Sequence, residues 1–409
     1  MRKAISTTAV AAIIIVVVIV AAVGVYAAIG TGKTTITSTV TSTETTVSTL
    51  TTTVTSGSVS TTSVTSTTSG VVLPSTLPSL SISETGSSLL YPLFNLWVPN
   101  FTAMYPTVKL NTASTGSGTG QSQAEAGTVQ IGASDAYLTD AQQAANPNIL
   151  NIPLSISAQM INYNVPEIPS TMHLNFTGAV LSGIYNGTIT YWDSQYIKAI
   201  NPAAASLLPH QVIIPIHRSD GSGDTFLFTQ FLSKTSPSWS AKVGFGTAVS
   251  WPPVPSSQSA LGNGGMVQSS KANKYSIAYI GVSYFESTIT HGLNYAFLQN
   301  QAGNFVNFTQ ANIQAAANEL VSSTPQSERI SLIYAPGANS YPIINYEYAM
   351  VLKVQNQTGM ALGLKTLLTW AILPQYGNSP QFLNQVNFVA LPPSVVQLSL
   401  TQINEITGP

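Results

Sequence analysis

From residue 80 to the end of the chain, short apolar runs alternate with glycine- and serine-rich loops and with segments of helical periodicity. This pattern predicts strands at 79–83, 107–112, 129–133 and 211–216, and helices at 89–104, 121–126 and 225–232. Strands that alternate with helices indicate an α/β fold, whose ligand binds beyond the carboxyl ends of the strands. This part, about 330 residues long, exceeds one typical domain and predicts two lobes.

The N-terminal pattern is different, because an uninterrupted apolar run follows a short basic head. Residues 9–29 form a 21-residue run whose only polar side-chain group is the Tyr26 hydroxyl. As a helix the run is about 30 Å long, which matches the hydrocarbon core of a bilayer. Arg2 and Lys3 mark the cytoplasmic side and place the rest of the chain outside. The prediction is a membrane anchor or signal segment over 1–33.

Between that segment and the α/β pattern lies a tract dominated by hydroxyl side chains. Of the 36 residues at 34–69, 27 are serine or threonine, and one, Glu44, is charged. A chain this polar cannot bury enough apolar surface to offset its ordering entropy, which predicts a coil-like extracellular stalk over 34–79, often glycosylated in such tracts. The alternative is a β-prone threonine and valine tract. Five N-x-Ser/Thr sequons after the stalk suit an exported protein: Asn100, Asn175, Asn186, Asn307 and Asn356.

Composition narrows the possible functions. Charged residues make up 7% of the chain and the net charge is −1, so no basic surface is predicted that could hold nucleic acid. The absence of cysteine excludes disulfides and thiolate chemistry, and the four histidines lack metal-binding spacing, so neither a metal site nor a cofactor is predicted. No Ser/His/Asp set, metal-like carboxylate pair or P-loop motif indicates an enzyme.

Three glycine-rich loops, each at a predicted strand end, carry the candidate chemistry. The backbone N–H groups at a helix start attract anions, glycine lets the backbone approach a ligand, and serine or threonine adds hydroxyl donors. Arg218 ends an apolar strand beside one of these loops, and a guanidinium there suits bidentate contact with an oxyanion. The alternative for Arg218 is a structural ion pair with Asp220.

The loops together resemble the phosphate-binding protein of Pst-type ABC importers. The resemblance rests on Ser87-Ser88, Thr115-Gly-Ser-Gly-Thr-Gly120, Gly132-Ala-Ser-Asp-Ala136 and Arg218-Ser-Asp-Gly-Ser-Gly223, in that order. Later segments at 184–193, 278–281, 341–343 and 390–396 are similar to further landmarks of the family. The resemblance covers essentially all of 80–409, and the start of the chain is similar to the pilin-type leaders of archaeal binding proteins, which are cut after the charges.

The resemblance implies a two-lobed periplasmic-binding-protein fold of the class II type, with phosphate in the cleft. One lobe is expected at 80–163 plus 340–409 and the other at 164–339, and two chain crossings between them would form a hinge. The implied phosphate ligands are Ser88, Leu89, Ser117, Asp135, Arg218, Ser222, Gly223 and Asp224. The implied partners are the permease subunits and ATPase of an importer, on the outer face of the cytoplasmic membrane.

Three aspartates need separate arguments. An ionised Asp135 can accept a hydrogen bond from the O–H of a protonated phosphate, whereas sulfate has no proton near neutrality to offer; the alternative is that Asp135 caps a turn. Asp224 stands where the family usually has threonine, and it either points away as a first-turn helix acid or faces the anion as a second proton acceptor. Asp140, before a helical segment, is expected to be an N-cap.

The leading function is therefore a binding protein that captures inorganic phosphate for import. Binding of another tetrahedral oxyanion is the first alternative, although an intact Asp135 argues against sulfate and molybdate. The second alternative is a cell-surface structural protein that retains a degenerate binding domain on its stalk. The intact ligand positions argue against the loss of binding.

Overall fold

The computed structural model describes residues 34–41, 47–55, 58–61 and 71–409, which fall into one unit before residue 73 and another over Leu73–Pro409. The predicted membrane segment at 9–29 and the basic residues before it lie outside the described residues. Within the described ranges, no helix combines the length and the apolarity that crossing a bilayer requires.

The hydroxyl-rich tract differs from the coil that its polarity predicts. Strands β1 (Thr34–Thr41), β2 (Val47–Thr55) and β3 (Ser58–Thr61) pair as an antiparallel sheet in the order β1-β2-β3. Threonine and valine are β-branched and favour extended backbone, which the burial argument for a coil left out. The described residues here follow the β-prone alternative.

One large mixed sheet organises the second unit. Its strands are β4 (Leu80–Gly86), β5 (Val108–Ser114), β6 (Ile131–Ser134), β7 (Ile149–Tyr163), β9 (Ile214–Arg218), β10 (Gln258–Ala260), β11 (Ser276–Gly281), β12 (Asn294–Tyr295) and β15 (Ile344–Leu352). The strand order is β10-β9-β11-β7-β15-β6-β4-β5, and β12 pairs with β7. A small sheet, β14-β13-β8, comprises β8 (Asn175–Phe176), β13 (Phe297–Gln299) and β14 (Phe305–Val306).

The helices follow the strands as the alternating pattern predicts. They are α1 (Tyr91–Met104), α2 (Ser117–Glu125), α3 (Asp140–Ala145), α4 (Gly178–Tyr185), α5 (Gln195–Ile200), α6 (Gly223–Thr235), α7 (Pro237–Lys242), α8 (Gly262–Ala272), α9 (Phe285–Thr290), α10 (Gln310–Leu320), α11 (Met360–Ile372), α12 (Pro380–Leu383) and α13 (Pro393–Asn404). The α/β prediction is confirmed. The main departure is α2, which begins at Ser117 inside the predicted glycine loop.

The parallel strands bring the loops of each half of the sheet to one edge. β4 lies parallel to both β5 and β6, and β11 lies parallel to β9, which is itself parallel to β10. In the first half, α2 packs directly on β6, because Gly120 and Gly132 meet there: a Cβ on Gly132 would lie 2.1 Å from the Gly120 carbonyl oxygen. This close approach sets the start of α2 beside the end of β6.

β7 joins the two halves of the sheet. Its first part pairs with β15 through Ala158, and its last part, from Gln159 to Tyr163, pairs with β11. Even-numbered positions from 152 to 160 are apolar, whereas Ser155, Ser157 and Gln159 lie on the opposite face, and all are buried. The sheet therefore has a buried polar face at its centre.

The lobe boundaries at 163/164 and 339/340 stay a prediction, as does the domain start at residue 80.

Candidate functional site

Hydroxyl groups and one carboxylate meet at the ends of β4, β5 and β6. Ser87 follows β4, Ser117 begins α2 after β5, and Asp135 follows β6, and all three are buried. The Ser87 hydroxyl donates to Asp135 Oδ1, and the Ser117 hydroxyl donates to Asp135 Oδ2 at 3.3 Å. Ser117 Oγ also accepts from the Asp135 backbone N–H at 3.2 Å. Asp135 thus receives hydrogen bonds in the site, and the turn-capping alternative has no bond to support it among these contacts.

Asp135 is under electrostatic strain. Burial, reinforced by the negative charge of Asp224, raises the pKa of Asp135 to about 7. The neighbouring Glu347 carboxyl, the hydrogen bond from Ser87 and the positive charge of Arg218 oppose this rise. An aspartate whose pKa lies near neutrality exchanges its proton under ordinary conditions, so its charge responds to what binds beside it.

Arg218, at the end of β9, is held by two carboxylates. Its Nε donates to Asp220 Oδ1 at 2.7 Å, its Nη2 donates to Asp220 Oδ2, and its Nη1 donates to Asp224 Oδ2 at 2.7 Å. Burial favours neutral Asp220, but the ion pair with Arg218 prevails and lowers the pKa of Asp220. The expected alternative for Arg218, an ion pair with Asp220, is therefore present in the structure. It leaves two of the five guanidinium N–H groups outside these three bonds.

The Asp224 carboxylate points inward from the first turn of α6. Besides Arg218, it accepts hydrogen bonds from Asn263 Nδ2 at 2.7 Å and from Gln159 Nε2 at 3.1 Å, and it is fully buried. Burial raises the pKa of Asp224, and these partners only partly oppose the rise. Asp224 therefore turns toward Arg218 and Asn263 rather than away from the cluster, and its second expected role, as a proton acceptor that faces the anion, stays a prediction.

The start of α6 closes against the first set of loops. Ser222 caps α6 by accepting from Thr225 N–H at 3.3 Å, and Gly223 follows it. A Cβ on Gly223 would lie 2.5 Å from Asp135 Oδ2 and 2.6 Å from Ser117 Oγ, so only glycine fits. The first turn of a 13-residue helix thus presses its backbone onto the Asp135 carboxylate.

Further contacts tie the two halves together around this point. Gly118 N–H donates to the Gly221 carbonyl at 2.8 Å, and Ser88 Oγ accepts from Asn263 Nδ2 at 3.0 Å. The Leu89 carbonyl accepts from Ser283 Oγ at 2.7 Å. The structure therefore brings together all eight residues that the resemblance implied, in one buried cluster between the halves of the sheet.

Several residues of this cluster escape the sequence argument. Asn263 forms hydrogen bonds with Ser88, Asp224 and the Gly281 backbone N–H. Gln159 donates to Asp224. The Tyr279 hydroxyl accepts from the backbone N–H of Arg218 at 2.9 Å. Glu347, on β15, lies opposite Asp135, which follows the neighbouring strand. Polar residues alternate with apolar ones at 155–159 of β7 and at 345–347 of β15. This alternation, which includes Gln159 and Glu347, was the available signal, because it marks a buried polar face inside an apolar sheet.

The expectation for Asp140 is wrong by one position. Thr139 is the N-cap of α3 and forms a capping box with Gln142, since a threonine hydroxyl reaches the N3 amide from that position. Asp140 is the first helical residue, and its carboxylate accepts from Arg329 Nη1 at 2.9 Å. Arg329 is thereby engaged outside the cluster.

Comparison with known proteins shows the family to which the chain belongs. A model of the PBP superfamily domain matches residues 31–375. The "Phosphate-binding protein PstS" of Methanocaldococcus jannaschii is 33% identical over 349 residues, which cover 81% of this chain and 87% of that protein. The chain belongs to the PstS family of phosphate-binding proteins. The PstS protein of Xylella fastidiosa is 31% identical over 78% of this chain and 84% of its own length.

Solved structures share the fold at lower identity. A high-affinity periplasmic phosphate-binding protein, PfluDING, bound with phosphate, superposes with a TM-score of 0.62 at 16% identity, over 77% of this chain and 92% of that one. A phosphate-binding protein from Stenotrophomonas maltophilia superposes with a TM-score of 0.58 at 17% identity, over 78% and 93%. The periplasmic-binding-protein fold expected from the sequence is confirmed.

Proposed function

We propose that this protein is a solute-binding protein that captures inorganic phosphate and delivers it to the permease and ATPase of an ABC importer. Membership of the PstS family supports the ligand class and the non-enzymatic role. The observation that carries the proposal is the buried Asp135 carboxylate, which lies against two serine hydroxyls and the first turn of α6.

The phosphate ligands in this proposal come from both halves of the sheet. Ser88, Leu89, Ser117 and Asp135 follow β4, β5 and β6. Arg218 ends β9, and Ser222, Gly223 and Asp224 follow it. Two guanidinium N–H groups of Arg218 remain for a bidentate contact with the anion. Because Gly223 lies against Asp135, the described conformation is closed, and phosphate entry requires the halves to open and then to close around the anion.

Asp135 supplies the discrimination against sulfate. A phosphate that carries at least one proton donates a hydrogen bond to the ionised carboxylate, whereas sulfate near neutrality presents only acceptors to it. A buried carboxylate facing another acceptor without a proton between them is unsatisfied and repelled. Sites built for a substrate hydroxyl reject analogues that lack it by about 10⁴.

The separation of the halves is a hinge motion between lobes at 80–163 plus 340–409 and at 164–339. The change of partner of β7 at Ala158 and Gln159 supports one crossing there, and the hydrogen bond from Gln159 N–H to the Ile343 carbonyl, at 3.1 Å, brings the second crossing beside it. X-ray scattering should show a smaller radius of gyration with phosphate than without it, whereas an unchanged radius would contradict the hinge.

Export and tethering complete the proposal. The apolar run at 9–29 after Arg2 and Lys3 supports an anchor or leader segment, and the hydroxyl-rich tract at 34–79 supports a spacer on the outer face of the membrane, with glycans on exposed sequons. The binding domain should be digested by protease added to intact cells and should sediment with membranes. Recovery in the cytosolic fraction would contradict this placement.

Calorimetric titration of the purified full-length protein with phosphate and with sulfate tests the function. Phosphate should bind in a one-to-one complex, and sulfate should bind at least about a hundredfold more weakly near neutral pH. Equal affinities would overturn the discrimination by Asp135, and the absence of phosphate binding would overturn the function itself.

A further inference from the structure

A second carboxyl group lies directly beneath the proposed site. β15 pairs antiparallel with β6 in a register that places Tyr348 opposite Ser134. Glu347, which precedes Tyr348, therefore lies opposite Asp135, which follows Ser134. Glu347 is fully buried and belongs to the polar face formed by β7 and β15.

The partners of Glu347 account for only one of its two oxygens. Oε1 accepts from the Ser157 hydroxyl at 2.5 Å and from Asn345 Nδ2 at 3.1 Å. Oε2 is buried and has no donor among residues 71–409, which the structure describes with side chains. Asn345 Nδ2 also donates to the Asp135 carbonyl at 3.1 Å, which fixes Glu347 and Asp135 side by side.

Two carboxyl groups that form a hydrogen bond with each other must share a proton. Glu347 lies opposite Asp135, and its Oε2 is buried without a donor among residues 71–409, so a proton shared between the two carboxyl groups would satisfy both. Such a bond acts in opposite directions on the two groups: it raises the pKa of Glu347 and lowers that of Asp135. Burial, the charge of Asp135 and this bond raise the pKa of Glu347 well above its usual value, whereas Asp135 reaches about 7. The direction of these shifts favours Glu347 as the group that holds the shared proton.

We propose that Glu347 is protonated at neutral pH and donates a hydrogen bond to Asp135, so that it is a positioning residue that keeps the Asp135 carboxylate ionised and oriented toward the ligand. This inference rests on the proposed function. Asp135 then has donors on every side, with Glu347 below it and Ser87 and Ser117 beside it. Its remaining lone pair is free for the phosphate O–H.

The charged groups around this pair agree with one shared proton. Asp224, from α6, adds a negative charge on one side, and Arg218, from β9, adds a positive charge. The neighbours on β7 and β15, Ser157 and Asn345, are neutral. If Glu347 also ionised, two adjacent buried carboxylates would face the incoming anion, and phosphate affinity would fall.

Three variants of the full-length protein test the proposal through phosphate titrations from about pH 6 to 10. Glu347→Gln keeps a permanent donor toward Asp135, so its affinity at pH 7 should stay within about threefold of the original, whereas Glu347→Ala should bind about tenfold more weakly. As pH rises through the pKa of Glu347, the original protein should lose more phosphate affinity than the Gln variant loses.

Glu328→Gln is the matched control. Glu328 is also buried and accepts hydrogen bonds from Ser399 and Gln402, and its replacement should leave the pH dependence of phosphate binding unaltered.

A ligand-free measurement separates this inference from the proposed function. The pKa of Glu347 is higher in the folded than in the unfolded chain, so its contribution to stability is fully present below the unfolded pKa and is lost as pH rises through the folded pKa. Glu347→Gln should therefore raise the unfolding midpoint relative to the original, increasingly toward alkaline pH.

The outcomes are distinct. A Gln variant that binds as weakly as the Ala variant, or that keeps the original pH profile, overturns the proposal. If the original protein binds no phosphate, the proposed function fails, and the midpoint series still decides the protonation of Glu347: a difference between Gln variant and original that does not change with pH contradicts it.

Discussion

The candidate site has two sides, one at the ends of β4 to β6 and one at the end of β9, and their buried charged groups have opposite kinds of partner. At the ends of β4 to β6, the Asp135 carboxylate lies among hydroxyl groups, and it forms no ion pair with any residue of 71–409. At the end of β9, a guanidinium lies between two carboxylates and forms ion pairs with both Asp220 and Asp224. The pKa of Asp135 rises to about 7, and the pKa of Asp220 falls.

This difference assigns a separate task to each side. A buried carboxylate without a cation is satisfied only by hydrogen-bond donors, so the Asp135 side responds to protons on the ligand. A buried guanidinium with unused N–H groups attracts negative charge, so the Arg218 side responds to the anion itself. A protonated oxyanion meets both requirements.

Removing the acceptor on the first side should produce the largest effect. Asp135→Asn keeps the shape of the side chain but presents an amide that can donate to any oxyanion. The phosphate-to-sulfate ratio of affinities, about 10⁴ for sites that require a hydroxyl, should fall by at least about a hundredfold. Competition titrations measure the ratio. Asp140→Asn, at an exposed carboxylate, is the control and should leave the ratio unchanged. An unchanged ratio in Asp135→Asn would show that Asp135 does not discriminate between phosphate and sulfate.

Removing the cation on the second side should weaken binding of every oxyanion alike. Arg218→Ala deletes the charge and leaves Asp220 and Asp224 buried without their partner, so phosphate binding should weaken by about 2–4 kcal/mol. Arg329→Ala is the control, since Arg329 pairs with exposed Asp140. Equal losses for the two variants, measured by calorimetry after each is shown to be folded, would mean that the site lies elsewhere.

The contact between the two sides can be broken by one methyl group. Gly223→Ala places a Cβ within 2.6 Å of Asp135 and Ser117 atoms, and overpacking of this kind costs about 1–3 kcal/mol. Phosphate affinity should fall by up to that amount, because the α6 backbone can no longer approach Asp135. Gly264→Ala, on α8, is the matched control, since its Cβ would meet only a Tyr284 ring atom at 3.9 Å. Wild-type affinity in Gly223→Ala would contradict the contact.

The smallest effect concerns the carboxylate that links the two sides. Asp224 faces the cluster, so a dihydrogen phosphate could satisfy both Asp135 and Asp224, whereas the dianion has one proton fewer and one more negative charge. Phosphate affinity should fall as pH rises through neutrality, because deprotonation of the ligand removes a donor and adds repulsion. Asp224→Thr should reduce that fall by about tenfold over pH 4 to 8. Superimposable profiles would show that Asp224 serves only Arg218 and the helix.

Local patterns in the sequence predict much of this arrangement, and long-range contacts account for what they miss. The glycine loops, Asp135 and Arg218 each lie at the end of a recognisable strand, so their convergence follows from the α/β pattern. Asn263 meets Ser88 across 175 positions of the chain, and no local pattern marks that contact.

The same limit applies to charge. Asp224 could be assigned to either of two orientations from its place in the first turn of α6, and only packing against Gln159 and Asn263 fixes it inward. Glu347 gains its role from the register between β15 and β6, which one residue of slip would abolish. The prediction of a coil in the hydroxyl-rich tract was wrong for a different reason, because it weighed polarity alone and left out the β preference of threonine.

A crystal structure of the protein with phosphate tests the central claim most directly. The claim is that one phosphate contacts both sides of the site. Its negative charge lies against Arg218, and its O–H donates a hydrogen bond to Asp135. We predict a phosphate whose oxygens contact both residues at once, with a short O–H···O⁻ distance of about 2.5–2.7 Å to an Asp135 oxygen. A phosphate that contacts Arg218 but forms no hydrogen bond with Asp135 would contradict the account.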